Sequence, residues 1–241
     1  MAAPKQYSES PAHRYLELAA IAAWMTLSGY LALRIAQHAA GQIWVVLFAL
    51  VAGLIASDFF SGLVHWLADT WGSPQTPLLG RNFIDPFRQH HVDQIDITRH
   101  DFVETNGNNC LVSLPVLLLA CQIGLDSGSR YALFAVTFMD SVALWVFATN
   151  QFHKWAHHPA PPAPVRALQR MGLILNPEHH SVHHASPFAK YYCITTGWMN
   201  APLTAIDFFP RLERLITALT GMQPRQDDLK DRGQASVVRG Q

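Results

Sequence analysis

The chain of 241 residues is long enough for one domain, or two at most. Half of it is apolar and 14% is charged, against about 25% in ordinary soluble domains, which excludes bulk disorder. Lys+Arg and Asp+Glu balance at 17 each, so no nucleic-acid partner is expected, and three cysteines without a CxxC pair exclude a disulfide scaffold or a zinc ribbon.

Residues 1–14 read as a polar tail, 15–221 as one domain and 222–241 as a second tail. A bilayer core about 30 Å thick needs roughly 20 apolar residues of helix. Four runs approach that length: Leu16 to Leu33, with Glu17 near its start; Ile43 to Trp66, broken by Asp58 and His65; the short, uncharged Cys110 to Leu125; and Tyr131 to Phe152, with Asp140 as its one charge. The first run is too long for the h-region of a signal peptide, roughly 7–15 residues. So few charges argue against a soluble all-α core. The expected fold is an all-α, multi-pass membrane protein of four transmembrane helices with a histidine-rich helical cap. Four spans put both termini and the 67–109 segment on one side, with 15 of the 17 Lys/Arg; Arg34 and Arg130 are the exceptions. That excess marks the cytoplasmic side. Eleven of the 13 histidines fall on it, His38 lies on the far side and His13 in the N-terminal tail. Pro159 to Pro164 forms a stiff connector. An amphipathic helix is expected between Asp207, its cap, and Gly221, with Pro210 in its first turn and Leu212, Leu215, Ile216 and Leu219 as its stripe. Packing on the domain and lying in the headgroup plane both stay open for it.

The histidines fall into patterns. His153 and His157 stand at i and i+4, where one helix face presents both rings to one ion. His180, His183 and His184 hold i+3 and i+4 spacings on a helix that Asn176 caps, Pro177 opens and Pro187 stops. Asp58, His65 and Asp69 lie within about 40° of arc on one ideal helix, and ionisable groups near a membrane interior are functional candidates. His90 and His91 point about 100° apart and are expected to serve different ions. Imidazole-rich ligation suits iron, zinc or copper. A structural zinc takes about four ligands, so eight or more candidates point to two metals. No HExxH, Gly-rich nucleotide loop or Gly-x-Ser-x-Gly elbow is present. His158 precedes Pro159 and reads as a helix-end polar residue. His179 is expected to support a ligand or face solvent, His100 to support a ligand near Asp101 and Glu104, and His13 and His38 have no expected role.

Longer strings carry a resemblance: Ser57-Asp58-Phe59, Gly62-Leu63-Val64-His65-Trp66, Ala68-Asp69-Thr70-Trp71-Gly72, Pro86-Phe87-Arg88-Gln89-His90-His91, Ile97 to Gly107, His153-Lys154-Trp155-Ala156-His157, His180 to His184, and Tyr192 to Asn200. From about Ser57 to Lys230 the chain resembles the plasmanylethanolamine desaturase family, enzymes that make the vinyl ether of plasmalogens. It is more distantly similar to the plant enzyme that places a trans double bond in the palmitate of phosphatidylglycerol. The resemblance implies an O₂-dependent desaturase with two iron ions on His65, His90, His91, His153, His157, His180, His183 and His184. Asp69 stands where ordinary membrane desaturases often have a second histidine, and its bonding to iron stays open. Asp58, Arg88, His100, Glu104, Asn106, Asn150 and His179 are implied to support ligands or substrate, and His100 with Glu104-Thr105-Asn106-Gly107 favours the plasmalogen branch. The implied partners are an ether phospholipid in the membrane and an outside electron donor of cytochrome b5 or ferredoxin type. The implied location is the inner membrane of a bacterium or the endoplasmic reticulum of a eukaryote, with the active site on the cytoplasmic side. Arg81, Arg88, Arg99 and Lys190 are candidates for lipid phosphate, donor docking or the anionic interface, and Trp66, Trp71, Trp155 and Trp198 for interface anchors. A fatty acyl-lipid desaturase of the same di-iron type and a zinc-dependent membrane hydrolase remain as alternatives. Transport is disfavoured because only Asp58 and Asp140 lie well inside the spans.

Overall fold

The computed structural model describes residues 10–225, so the outer parts of both expected tails, 1–9 and 226–241, lie outside the described residues. Every regular element among the described residues is helical: α1 (Pro11–His38), α2 (Ile43–Thr70), α3 (Asp85–His90), α4 (Phe102–Cys121), α5 (Arg130–His157), α6 (Ala163–Arg170), α7 (Pro177–Ser181), α8 (Asn200–Ala205) and α9 (Phe208–Thr220). A π turn, Gly80–Ile84, leads into α3, and a 3₁₀ turn, Asp96–Arg99, follows it.

Three helices, α1, α2 and α5, are long and apolar enough to cross a membrane, at 28 residues each. At 1.5 Å per residue each is about 42 Å long, more than a hydrocarbon core needs. The third expected span does not reach the same mark. Its helix, α4, starts at Phe102 rather than at the apolar run, because the Asp101 carboxylate accepts the Val103 and Glu104 N–H groups at 2.9 and 3.0 Å. Glu104, Asn106, Asn108 and Asn109 therefore belong to α4 and dilute its apolar character. Helix α1 also starts early, at Pro11, with Ser10 Oγ accepting from His13 N, so residues 11–14 of the expected tail are helical.

The chain divides into two units, Met1–Gly53 with His100–Phe147, and Leu54–Arg99 with Ala148–Gln241. In the first unit α1 lies along α4 around Ala20, Trp24, Leu31, Cys110 and Leu117, with Trp24 stacked on Phe147 at 4.7 Å. Gly107 lets the two helices close: a Cβ there would lie 2.5 Å from Glu17 Cβ. Gly107→Val is expected to destabilise the protein by about 1–3 kcal/mol through overpacking, read as a lower Tm.

The second unit is built around Trp66, Trp71, Tyr192, Cys193, Leu203 and Phe209. Trp66 and Trp71 are therefore core residues and not interface anchors; Trp198 is 44% exposed. Helix α9 packs on this core through Phe209, and Trp66 Nε1 donates to Glu213 Oε1 at 2.8 Å. Asp207 does not cap α9 through its side chain: it takes a left-handed conformation with φ of 50°. The helix expected to run from Asn176 toward Pro187 ends at Ser181. Asn176 does cap it, accepting from His179 N at 3.1 Å, and a turn carries the chain on, with His183 N and His184 N both donating to His180 O.

Candidate metal centre

Helix periodicity brings the first ligand pair together. His153 and His157, one turn apart on α5, hold their Nε2 atoms 3.2 Å apart. Helix α3 ends in His90, whose Nε2 lies 2.9 Å from that of His157. Helix α7 supplies His180, 2.9 Å from His153, and the turn after it supplies His184, 2.9 Å from His180. The ligand atoms of these five histidines all lie within 4.8 Å of one another. Each imidazole contact would need one protonated and one bare Nε2 to be a hydrogen bond. Nitrogens bonded at about 2.1 Å to one first-row ion stand about 3 Å apart when at right angles. Separations of 2.9–3.2 Å match the edges that such a coordination shell would have.

A second group joins His65 and Asp69, one turn apart on α2, to His91 and His183. Asp69 Oδ2 lies 3.5 Å from His65 Nε2, 3.1 Å from His91 Nε2 and 3.4 Å from His183 Nε2, and the last two nitrogens are 3.2 Å apart. All four residues are buried. His65 Nε2 and Asp69 Oδ1 have no hydrogen-bond partner among the described residues, which marks a place built for a ligand. Two main-chain carbonyls orient the rings from behind. Nδ1 of His65 donates to Tyr192 O at 3.2 Å, and Nδ1 of His183 to Lys190 O at 2.8 Å. A protonated Nδ1 leaves Nε2 bare and aimed at the centre. Burial holds His90, His91, His180 and His184 below the ordinary imidazole range, and neighbouring imidazoles push the same way; Asp69 opposes this at His91. These rings are neutral and keep a nitrogen for metal. Phe87, Phe188 and Tyr192 wall the centre, with centroids 5.1, 4.9 and 5.1 Å from the rings of His65, His91 and His183. The two groups fit two metal ions, and the adjacent His90 and His91 fall in different groups.

The remaining candidates have other placements. Asp58 is fully buried, and its carboxylate accepts N–H groups from Thr195, Thr196, Gly197 and Met199. Arg88 is also buried: it donates to the carbonyls of Ala68, Trp71 and Gly72 at the end of α2, a cap for the helix that carries His65 and Asp69. His179 turns away from both metal groups, its Nε2 accepting from Asn200 Nδ2 at 3.0 Å and its ring stacked on Tyr191. Asn150 is half-buried on α5, one turn before His153. His100, Glu104 and Asn106 belong to the other unit, where His100 Nε2 lies 3.7 Å from Glu104 Oε1. Arg99 pairs with Asp93 and Asp96 on the surface, and His158 Nδ1 accepts from Ala160 N. The carbonyls of Tyr192 and Lys190 escape any reading of side-chain patterns, although Tyr192 opens one of the strings noted above.

Helices long and apolar enough to cross a membrane, together with buried histidine clusters that could hold metal, define the class to which the chain is compared. A lipid desaturase domain matches residues 54–227. The plasmanylethanolamine desaturase of Myxococcus xanthus is 54% identical over 220 residues, 91% of this chain and 78% of that protein. Plasmanylethanolamine desaturase 1 of Mus musculus is 48% identical over 190 residues, 77% of this chain and 70% of that protein. The chloroplastic fatty acid desaturase 4 of Arabidopsis thaliana is 34% identical over 176 residues, 72% of this chain and 52% of that protein. No solved structure matches. The chain belongs to the lipid desaturase family, and within it to the plasmanylethanolamine desaturases.

Proposed function

We propose that the protein is an O₂-dependent di-iron desaturase that converts the 1-O-alkyl chain of plasmanylethanolamine-type lipids to the 1′-alkenyl ether. The observation that carries this reading is the pair of ligand groups, His90, His153, His157, His180 and His184 for one ion and His65, Asp69, His91 and His183 for the other. Bound iron would supply what no side chain has, the oxidising power to take hydrogen from unactivated carbon with O₂ and two outside electrons. The balance is one alkyl ether, O₂, two electrons and two protons giving one alkenyl ether and two waters. The chain itself holds and orients. The carbonyls of Tyr192 and Lys190 fix two ligand rings. Phe87, Phe188 and Tyr192 keep water off the centre, and the Arg88 and Asp58 networks brace α2 behind it.

In this reading α4 provides a fourth span, the metal centre lies on the cytoplasmic side, and a soluble donor of cytochrome b5 or ferredoxin type brings the electrons. The names of the Myxococcus xanthus and Mus musculus relatives, plasmanylethanolamine desaturases both, support the substrate. Expression in plasmalogen-free cells should yield acid-labile vinyl ether lipids, with about two irons per purified chain. A fatty acyl double bond in place of the vinyl ether would overturn the substrate, and zinc alone would overturn the redox reading.

A further inference from the structure

The segment between α2 and α3 forms a half-open pocket of about 500 Å³ that the metal ligands do not line. This volume lies within the roughly 300–1,000 Å³ typical of small-molecule sites. Among its lining residues are Leu78, Arg81 and Asp85. Arg81 is exposed and makes no hydrogen bond or ion pair among the described residues. Asp85 is half-buried, accepts from Gln89 Nε2 at 3.3 Å and is engaged by a further partner, so a ligand ammonium would join an existing network there. Leu78 is held at φ of 65° while 91% exposed, a strained leucine with no burial to offset it. Strain in a wall residue is a pointer to a ligand-facing segment.

We propose that this cavity receives the phosphoethanolamine headgroup of the substrate, Arg81 meeting the phosphate, Asp85 the ammonium, and Leu78 the apolar part of the lipid. The inference rests on the desaturase reading and specifies how that centre meets its lipid. Guanidinium is the fork that suits phosphate, and a carboxylate accepts hydrogen bonds from a primary ammonium. A quaternary choline head has no N–H to give, so Asp85 would set the headgroup preference.

Phe83, in the turn that carries Arg81, packs on Phe87 of α3 with centroids 5.2 Å apart, and Phe87 lies 5.1 Å from the His65 ring.

The test uses the full-length, iron-loaded protein in detergent with an electron donor and two ether lipids, 1-O-hexadecyl-2-oleoyl glycerophosphoethanolamine and its choline counterpart. Arg81→Gln should raise KM for both lipids about tenfold, about 1.4 kcal/mol, with kcat nearly unchanged, and Arg81→Lys should recover part of it. Asp85→Asn should raise KM for the ethanolamine lipid alone and erase the headgroup preference. Iron content and Tm should stay at wild-type values in all three. A second arm needs no turnover: the ethanolamine lipid should raise the Tm of the metal-free wild type, and Arg81→Gln should remove most of that shift. If both variants keep wild-type KM and the shift persists in Arg81→Gln, the headgroup site is overturned. If inorganic phosphate alone competes as well as the lipid, the cavity is a free-phosphate site and the proposal also fails. A wild type that makes no vinyl ether while showing an Arg81-dependent shift would instead sink the desaturase reading.

Discussion

If the two groups hold iron as proposed, alanine at His153 is expected to cut bound iron from about two ions per chain to about one, and alanine at His183 to remove the other ion, each with activity down more than about a hundredfold. His153 sits at the middle of its group, with Nε2 3.2 Å from His157 Nε2 and 2.9 Å from His180 Nε2. His183 closes the second group, 3.4 Å from Asp69 Oδ2 and 3.2 Å from His91 Nε2. Both are buried, so each substitution also leaves a cavity, and helical content must be checked alongside. The control is built into the sequence. His179 adjoins His180, yet its Nε2 is taken by Asn200 and its ring by Tyr191. His179→Ala should keep both irons, while His180→Ala should not. Elemental analysis of the purified variants decides it: equal loss from His179→Ala and His180→Ala would mean that the two ligand groups do not exist as drawn.

Much of this centre was legible because helices deliver side chains at fixed angles. His153 and His157 on α5, and His65 and Asp69 on α2, sit together for the reason that any i, i+4 pair does. Periodicity says which residues share a face and not what that face meets. Asp58 belongs to the same arc of α2 as His65 and Asp69, but its carboxylate is met by a loop some 140 residues further on. His183 shows the limit from the other side. Spacing groups it with His180 and His184, but α7 ends at Ser181 and the following turn sends His183 to the second group. Arg88 reads from charge as a candidate for lipid phosphate, donor docking or the anionic interface; its burial makes it a cap for α2 instead. The orienting carbonyls of Tyr192 and Lys190 have no side-chain signature, so sequence cannot announce them. The start of α4 is an error of a different kind: an apolar run marks what a membrane would accept, whereas Asp101 as a cap decides where the helix begins.

The loop that orients His65 depends on one buried charge, and removing it should have the largest effect on folding of any single change away from the metals. Asp58 Oδ1 accepts from Thr195 N at 3.2 Å, Thr196 N at 2.8 Å and Gly197 N at 2.9 Å, and Oδ2 accepts from Met199 N at 2.9 Å. Ser61 Oγ takes Ile194 N at 3.0 Å, and Gly62 on the same face lets Cys193 lie against α2. This strap places the carbonyl of Tyr192 on His65 Nδ1. Asp58→Ala would orphan four donors, three of them on buried residues. At about 1–3 kcal/mol for each orphaned group, the loss exceeds about 4 kcal/mol, a large share of the roughly 5–15 kcal/mol that keeps a domain folded. Asp58→Asn keeps one oxygen for three of the donors but turns an amide NH₂ toward Met199 N, a cost of about 1–3 kcal/mol. The alanine variant should accumulate poorly or melt far below the wild type. The asparagine variant should fold, melt a few degrees lower, and exchange the Met199 amide faster than those of Thr196 and Gly197. Because the strap acts through His65, iron should leave the asparagine variant faster under chelator than it leaves the wild type. An alanine variant that melted within a degree or two of the wild type would show that the carboxylate does not hold this loop.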